Sequence, residues 1–568
     1  MSITAMPVFD SQTMRAGSNF SALNVAASLL LAAIIANHLL WVWHYAALAP
    51  VNDDYVLILN RLIMFHNLPH GLDPGFFFEF SGGQQHRLVL LSMVIVALYE
   101  IVGDIDFRTL ILIGNCSLLA LLWGIWKFAG SILPVTANRA VYFLPVALLV
   151  LSPSYFEASL WATGVLQNLP VLVFALFAVA CAAQRSAFAF AAALFAGLLA
   201  SGSSANGMAV FLACAAVLAA QRRFAYASLM AFLFVAVAWA YTRGFPSDPS
   251  NFGDPAKASL GGLIRFYLAL CGAIVWGKNG AMLLGALFVA GFGVLTWRGL
   301  PGRNPVLWGF GLFLMLSMAM MSIGRSGLGL DAALLSRYKP YSGLMLAVLY
   351  LGSLILAPTL ARKKIIGFSG LFIASASFVS YMLHYEAAVA DFGNRPRLEM
   401  AYRGVEGRAQ VLSGFPKPDF ATRVIDSAEQ YGIYRPSSFA ELVVKPAPAP
   451  EGAAPSAQKQ QDQAGRGISV SEFVDGKKAT LVYGVIKGQC APEQFRIALR
   501  NAAETLYFET QPLNHGRLNT DAKRPMQGFF GGIVDKRSLP AGSYRLGFTC
   551  GDKEPVFAGD SYRVLNNP

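Results

Sequence analysis

Charged side chains are scarce in this chain of 568 residues, where aspartate, glutamate, lysine and arginine together make up 13%. A soluble protein of average composition carries about twice that fraction. Hydrophobic residues account for 55%, and stretches such as 29–42 and 344–360 contain no charge at all. The composition therefore excludes an ordinary soluble domain over most of the length, and it predicts helices that cross a bilayer.

The sequence also lacks the short motifs of several common enzyme classes. It has no Walker A phosphate loop, no GxGxxG after a strand, no HExxH zinc motif and no GxSxG nucleophile elbow in a suitable context. ATP-driven transport and serine-triad hydrolysis therefore have no support. No basic soluble domain with interleaved aromatic residues is present, so nucleic acid is not a predicted partner.

Long apolar runs organise residues 1–383 and predict an all-α polytopic membrane bundle. Short basic loops, such as the one at 362–364, are typical of the cytoplasmic side. The apolar stretches 88–102 and 263–276 are short for a span, and we expect them to be re-entrant or interfacial. The predicted spans are eleven: 21–43, 108–127, 140–153, 169–184, 187–200, 207–221, 224–241, 280–297, 305–323, 341–360 and 365–383. Together with the basic inner loops, the odd number predicts a cytoplasmic N-terminus and an outer C-terminus. No cleavable signal peptide is expected, because the first apolar helix is too long and lacks an obvious cleavage site.

The chain changes character after residue 383. Residues 384–445 are expected to be irregular and partly helical, and 446–467 form a linker rich in proline, alanine and glutamine. Such a linker predicts that few contacts join the next segment, 468–568, to the bundle. That segment predicts a small β-sandwich. Its predicted strands are 479–486, 495–499, 505–509 and 544–549.

Two of the six cysteines, Cys490 and Cys550, bracket predicted strands in the tail. If the tail lies outside the cytoplasm, these two are expected to form a disulfide. The other four lie in apolar segments, where cysteine usually serves as a small core residue.

Adjacent carboxylates, Asp53 and Asp54, follow directly on the first predicted span. Acidic groups at a membrane surface are costly to place unless water, a cation or a substrate meets them. Such a pair can deprotonate an acceptor hydroxyl or hold a divalent metal ion, and these are the two chemistries we predict for it.

The same predicted outer loop contains His86 and Arg87 just before an apolar stretch. Arginine suits a phosphate, and histidine suits a hydrogen bond or a proton transfer. The alternative for Arg87 is an aliphatic stem that lies in the bilayer with its guanidinium at the interface.

The second predicted outer loop holds Glu157, Trp161 and Gln167. Glu157 is a candidate for a third acid that faces the first pair. Trp161 is a candidate for stacking on a sugar ring, although tryptophan more often marks the membrane interface. Gln167 is a candidate substrate contact on the same loop.

A late loop places Arg325, Arg337, Tyr338 and Lys339 next to a span on the predicted outer side. Cations at this position run against the usual charge bias of membrane proteins. They make sense if they bind the phosphate of a lipid, with a bilayer anchor of the Arg/Tyr type as the alternative.

With these features the chain resembles the GT-C superfamily of integral-membrane glycosyltransferases. The resemblance covers roughly residues 20–385 and rests on the architecture, the acidic pair, the stretch 82–88 (GGQQHRL) and the stretch 336–338 (SRY). Gln85 stands where related sequences often have glutamate.

The resemblance implies a bacterial inner-membrane enzyme that transfers a sugar from a polyprenyl-phosphate carrier to a glycan or lipid acceptor on the periplasmic face. Asp53 or Asp54 would be the base, and Arg87, Arg325, Arg337 and Lys339 would hold the donor phosphate. Some relatives bind a divalent cation such as Mg²⁺ or Mn²⁺ with loop acids. The C-terminal module would then be periplasmic and would bind glycan or acceptor.

Two other classes remain open at this point. A polysaccharide polymerase or ligase would share the helices and the lipid-phosphate donor but would depend on arginine and histidine more than on the acid pair. A lipid or glycan transporter would need polar groups deep within the spans, whereas here they gather near the outer rim.

Overall fold

The computed structural model describes most of the chain. The described residues are 22–68, 74–80, 87–129, 139–244, 259–383, 393–407, 417–435, 442, 468–486, 495–512, 528–550 and 555–564. The predicted linker 446–467 therefore lies outside them.

Helices dominate the first 383 residues. They are α1 Ala22–Tyr45, α2 Asn60–His66, α3 Pro74–Phe78, α4 Val89–Val102, α5 Phe107–Ala129, α6 Arg139–Val150, α7 Phe156–Leu160, α8 Ala162–Asn168, α9 Pro170–Ala182, α10 Ala187–Ser203, α11 Ala209–Ala220, α12 Phe224–Thr242, α13 Leu260–Cys271, α14 Lys278–Trp297, α15 Leu300–Arg303, α16 Pro305–Arg325, α17 Leu330–Ala333, α18 Lys339–Leu356 and α19 Leu360–Met382. After the bundle come α20 Arg395–Glu406 and α21 Pro418–Gln430.

Nine helical stretches among the described residues are long and apolar enough to cross a membrane, which confirms a multi-pass protein. They are Ala22–Tyr45, Phe107–Phe128, Arg139–Leu160, Ala162–Ala182, Phe224–Thr242, Lys278–Trp297, Pro305–Leu328, Ser336–Leu356 and Leu360–Met382. The other two predicted spans correspond to α10 and to the stretch Ala205–Ala220 that contains α11. With 17 residues, α10 is roughly 26 Å long, somewhat less than a typical hydrocarbon core of about 30 Å.

The two stretches predicted to be too short for a span are helical. They form α4, of 14 residues, and α13, of 12 residues. At about 1.5 Å per residue they reach only about 21 Å and 18 Å, which is less than the thickness of a bilayer core.

The loop after α1 and the segment after α19 meet at one end of the bundle. The Ile105 amide donates to the Ile433 carbonyl at 2.8 Å, and the Tyr434 hydroxyl donates to the Leu48 carbonyl at 3.4 Å. We call this end the C-terminal face, defined by residues 46–66, 395–407 and 417–434. The acid-bearing loop and the C-terminal segment therefore lie on the same side of the helices.

The tail forms two antiparallel sheets. The strands are β1 Ile468–Asp475, β2 Ala479–Ile486, β3 Phe495–Arg500, β4 Thr505–Glu509, β5 Gln511–Pro512, β6 Gly528–Asp535, β7 Gly542–Cys550 and β8 Val556–Val564. One sheet has the order β1-β2-β6-β5 and the other β4-β3-β7-β8. Val482, Phe530 and Val534 of the first sheet share a hydrophobic cluster with residues of the second, such as Phe495 and Phe548. Cys550 at the end of β7 is disulfide-bonded, while its predicted partner Cys490 lies outside the described residues.

The expectation that few contacts reach this module is wrong, because one face of its first sheet packs on α20. Side chains on a strand alternate between faces, so Leu481 and Tyr483 join the main core while Val482 points to the other sheet. Glu406, at the end of α20, accepts hydrogen bonds from the amides of Lys477 and Lys478 in the β1–β2 turn, at 2.9 and 2.5 Å.

Candidate functional site

The two adjacent carboxylates have different environments. Asp54 has no exposed surface, and its oxygens accept four hydrogen bonds from the protein. The donors are the Trp161 Nε1 at 3.0 Å, the Thr163 amide at 3.0 Å, the Thr163 hydroxyl at 2.6 Å and the Val51 amide at 2.9 Å. Asp54 therefore joins the loop after α1 to the start of α8.

The local backbone explains why α8 needs this carboxylate. Trp161 is extended, with φ −116° and ψ 126°, so the chain breaks between α7 and α8. The first amides of any helix have no partner inside the helix, and Trp161 provides no side-chain cap for them. Asp54 satisfies the Thr163 amide from another part of the chain and takes the place of a capping residue. Burial raises the pKa of Asp54 to about 7, while the bonds from Thr163 and Val51 oppose that increase.

Asp53 is only partly buried and faces cations. Burial raises the pKa of this carboxyl, and the guanidiniums of Arg337 and Arg325 act in the opposite direction. A carboxylate from the first loop thus lies within the field of two arginines from the segment 325–337. Asp53, unlike Asp54, keeps part of its surface exposed.

Glu157 holds Arg337 in place. Its Oε2 accepts a hydrogen bond from the Arg337 amide at 3.0 Å, and its Oε1 lies 3.9 Å from the Arg337 guanidinium. Ser336 completes the junction, because its hydroxyl accepts from the Glu157 amide at 3.1 Å and donates to the Ser154 carbonyl at 2.7 Å. Segments 51–54, 154–163 and 325–337 therefore converge on the C-terminal face.

Lys339 was expected among the phosphate ligands, but its side chain is enclosed, with 3% of the residue exposed. Its Nζ donates to the Tyr381 hydroxyl at 2.9 Å and lies 4.7 Å from the ring centroids of both Trp276 and Tyr381. The Tyr381 hydroxyl in turn donates to the Ile274 carbonyl at 2.9 Å. The amine is thus an internal contact between α18 and α19, away from the accessible rim.

Arg87 is held at the end of α12. Its amide donates to the Tyr241 hydroxyl at 3.0 Å, its guanidinium donates to the Arg243 carbonyl, and the Phe80 ring lies 4.3 Å from that guanidinium. None of these contacts involves Asp53 or Arg337. His86 lies outside the described residues.

The predicted substrate contacts of the second and late loops are mostly enclosed. Trp161 is 3% exposed and uses its Nε1 to bind Asp54 and the Val51 carbonyl, so its indole supports the site rather than presenting a free stacking face. Tyr338 is buried beside Arg337, with 5.4 Å from the guanidinium carbon to its ring centroid. Gln167 is half-buried on α8.

The acid pair does not fit a divalent cation. No group of three or more histidine, cysteine or acidic side chains suited to a metal occurs among the described residues. Both oxygens of Asp54 are already engaged by protein donors, and Asp53 faces guanidiniums that repel a cation. The arrangement suits an anion near Arg325 and Arg337 instead.

The sequence did not reveal the roles of Thr163 and Ser154. Both are short polar residues in apolar surroundings, and their partners are 109 and 182 positions away in the chain. In the sequence, the feature that could have indicated these roles is the polar stretch 152–163, which interrupts two apolar runs.

Comparisons of the chain with protein-family models, with curated proteins and with solved structures find no significant match in any of the three.

Proposed function

We propose that the protein is a membrane glycosyltransferase of the GT-C type, which transfers a sugar from a polyprenyl-phosphate donor to a glycan or lipid acceptor. The observation that carries the proposal is the position of Asp53, an accessible carboxylate opposite the guanidiniums of Arg325 and Arg337 at one end of a membrane bundle. A base beside an anion site is what transfer from a phosphate-linked sugar requires.

In the proposed reaction, an acceptor hydroxyl oxygen attacks the anomeric carbon of the sugar, and Asp53 takes the hydroxyl proton. The bond between that carbon and the phosphate oxygen breaks, and the lipid phosphate leaves with the electron pair. Arg337 and Arg325 stabilise the negative charge of the leaving phosphate. The raised pKa of Asp53 suits a base, because a more basic carboxylate accepts a proton more readily.

Two further residues position Asp53 and Arg337. Asp54 fixes the loop that carries Asp53, and Glu157 fixes the backbone of Arg337. Under the proposal, the C-terminal face is periplasmic, eleven helices cross the bacterial inner membrane, and the two tail sheets form a β-sandwich that binds glycan or acceptor. A polymerase or ligase that depends on arginine and histidine is the alternative.

The test is sugar transfer by purified Asp53→Asn in proteoliposomes, with a panel of radiolabelled polyprenyl-phosphate sugars and cell-envelope acceptors. Loss of a general base typically reduces the rate about 10²–10⁴-fold. Asp331→Asn is the matched control, because Asp331 is an exposed acid in an ion pair with Lys278. This variant should transfer sugar at the wild-type rate. Wild-type transfer by Asp53→Asn would reject Asp53 as the base and favour the polymerase or ligase.

A further inference from the structure

Arg61 is a second charged residue of the first loop with an unusual environment. It lies in the first turn of α2 and is 1% exposed. Its guanidinium carbon is 3.9 Å from the centroid of the Phe76 ring. Phe65 and Phe77 pack against Phe76 with centroid distances of 5.8 and 5.3 Å. We call Phe65, Phe76 and Phe77 the aromatic cover of Arg61.

Among the described residues, the Arg61 guanidinium has no hydrogen-bond partner on any of its three nitrogens. The carboxylate that influences it is Glu79, whose side chain is exposed and forms no ion pair with it in the described part of the chain. A buried charge without a partner is strongly unfavourable.

Arg403 shows how this chain treats another buried arginine. It is 4% exposed, donates to Asp426 and lies 3.8 Å from a carboxylate oxygen of Glu429. Two acids thus pair with one buried guanidinium, while among the described residues the other has neither a hydrogen bond nor an ion pair. The difference points to a ligand for Arg61 from outside the described residues.

The geometry restricts the chemistry of that partner. Phe76 occupies a face of the guanidinium, which leaves the N–H groups in its plane for a ligand. Arginine presents these donors as a rigid fork that matches two oxygens of a carboxylate or a phosphate.

We propose that Arg61 binds an anionic group, a phosphate or a carboxylate, through the edge of its guanidinium beneath the aromatic cover. The site lies on the C-terminal face, eight residues after Asp53 and therefore roughly 12 Å further along the helical run. It is distinct from the Arg325 and Arg337 pair, and it does not depend on the proposed transfer reaction.

The first experiment uses the full-length protein in an uncharged detergent and follows thermal unfolding while inorganic phosphate replaces chloride at constant ionic strength. A ligand that binds only the folded state stabilises it, so we expect the wild-type Tm to rise by about 2–5 °C. Arg61→Met should show a smaller rise, and any rise that remains is assigned to the separate pair of Arg325 and Arg337. Without phosphate this variant should melt at or above the wild-type temperature, because an unpaired buried charge has been removed.

The second arm replaces detergent with nanodiscs of phosphatidylcholine, with or without phosphatidylglycerol. A response to phosphatidylglycerol alone assigns the anion to a lipid headgroup, and a response to inorganic phosphate assigns it to a soluble group. Either response, if it is smaller in Arg61→Met than in the wild type, supports the site. Wild-type protein that responds in neither arm overturns it.

Arg108→Met is the matched control, because Arg108 also lies over an aromatic ring, with 4.6 Å to the centroid of Trp43, but is only partly buried. It should keep the wild-type response. A response in Arg61→Met that equals the wild-type response, or a response that disappears in Arg108→Met, overturns the proposal. So does a lower Tm for Arg61→Met in the absence of phosphate, since that would reveal an internal partner.

Discussion

Asp54 and Arg61 lie on one helical run, are almost equally buried at 0% and 1% exposure, and have opposite surroundings. Four protein donors reach the Asp54 carboxylate, while none of the described residues bonds the Arg61 guanidinium. Burial alone therefore does not identify a functional charge. A buried ion whose bonds are all made by the protein holds elements together, whereas one with unused donors can bond a ligand.

The largest effect on stability is expected from Asp54→Ala. It would leave the Val51 amide, the Thr163 amide and the Thr163 hydroxyl buried without their acceptor, which should lower the free energy of unfolding by about 3–5 kcal/mol. Thermal unfolding of the purified protein measures this change. A loss below about 1 kcal/mol would mean that Asp54 does not anchor the loop.

A smaller loss is expected from Thr163→Val, which keeps the shape of the side chain but removes its 2.6 Å hydrogen bond to Asp54. A hydrogen bond to a charged group contributes about 1.5–3 kcal/mol. Thr109→Val is the matched control, since it removes a 2.7 Å bond to Asp106 at an exposed site and should cost much less. Equal losses in the two variants would show that burial does not strengthen the Asp54 bonds.

The pH dependence of transfer tests the accessible carboxylate. A base must be deprotonated, so activity should rise with pH through the pKa of Asp53, which burial places above its ordinary value. Arg337 opposes that increase, so Arg337→Gln should move the acidic limb of the kcat/KM profile to higher pH. Lys278→Met, at an exposed ion pair, is the control and should leave the limb in place. If the acidic limb stayed in place in Arg337→Gln, the charge of Arg337 would not act on the pKa of Asp53.

The smallest effect belongs to the exposed pair of Lys278 and Asp331, whose side chains are 42% and 73% exposed. Exposed ion pairs contribute about 0–1 kcal/mol, because solvent screens them. Asp331→Asn should therefore hardly change the Tm. A loss of stability in Asp331→Asn as large as that in Asp54→Ala would show that buried and exposed ions contribute equally, which contradicts the comparison.

Periodicity and composition predicted much of the fold. The strand expected at 479–486 is β2, and most predicted spans fall on long helices. The strand β6 was missed because its glycine-rich sequence, GFFGGIVD, does not alternate between apolar and polar residues. Local patterns also failed to predict the packing of the first sheet on α20, since a flexible composition at 446–467 says nothing about contacts made beyond it.

The candidate site was predictable only in part. The sequence brought attention to Asp53, Glu157 and Arg337 because polar residues beside spans are costly. It could not predict that Asp53 and Asp54 have different roles, since the groups that donate hydrogen bonds to Asp54 are 107 and 109 positions away along the chain. The enclosure of Lys339 by Trp276 and Tyr381 likewise depends on contacts between distant helices.

The most direct test of the account measures the transfer rate and Tm together for Asp53→Asn and Asp54→Ala in one lipid preparation. We predict that Asp53→Asn keeps the wild-type Tm and loses transfer about 10²–10⁴-fold, while Asp54→Ala loses stability first. Wild-type transfer by Asp53→Asn, together with a stable Asp54→Ala that is inactive, would reverse the two roles and contradict the account.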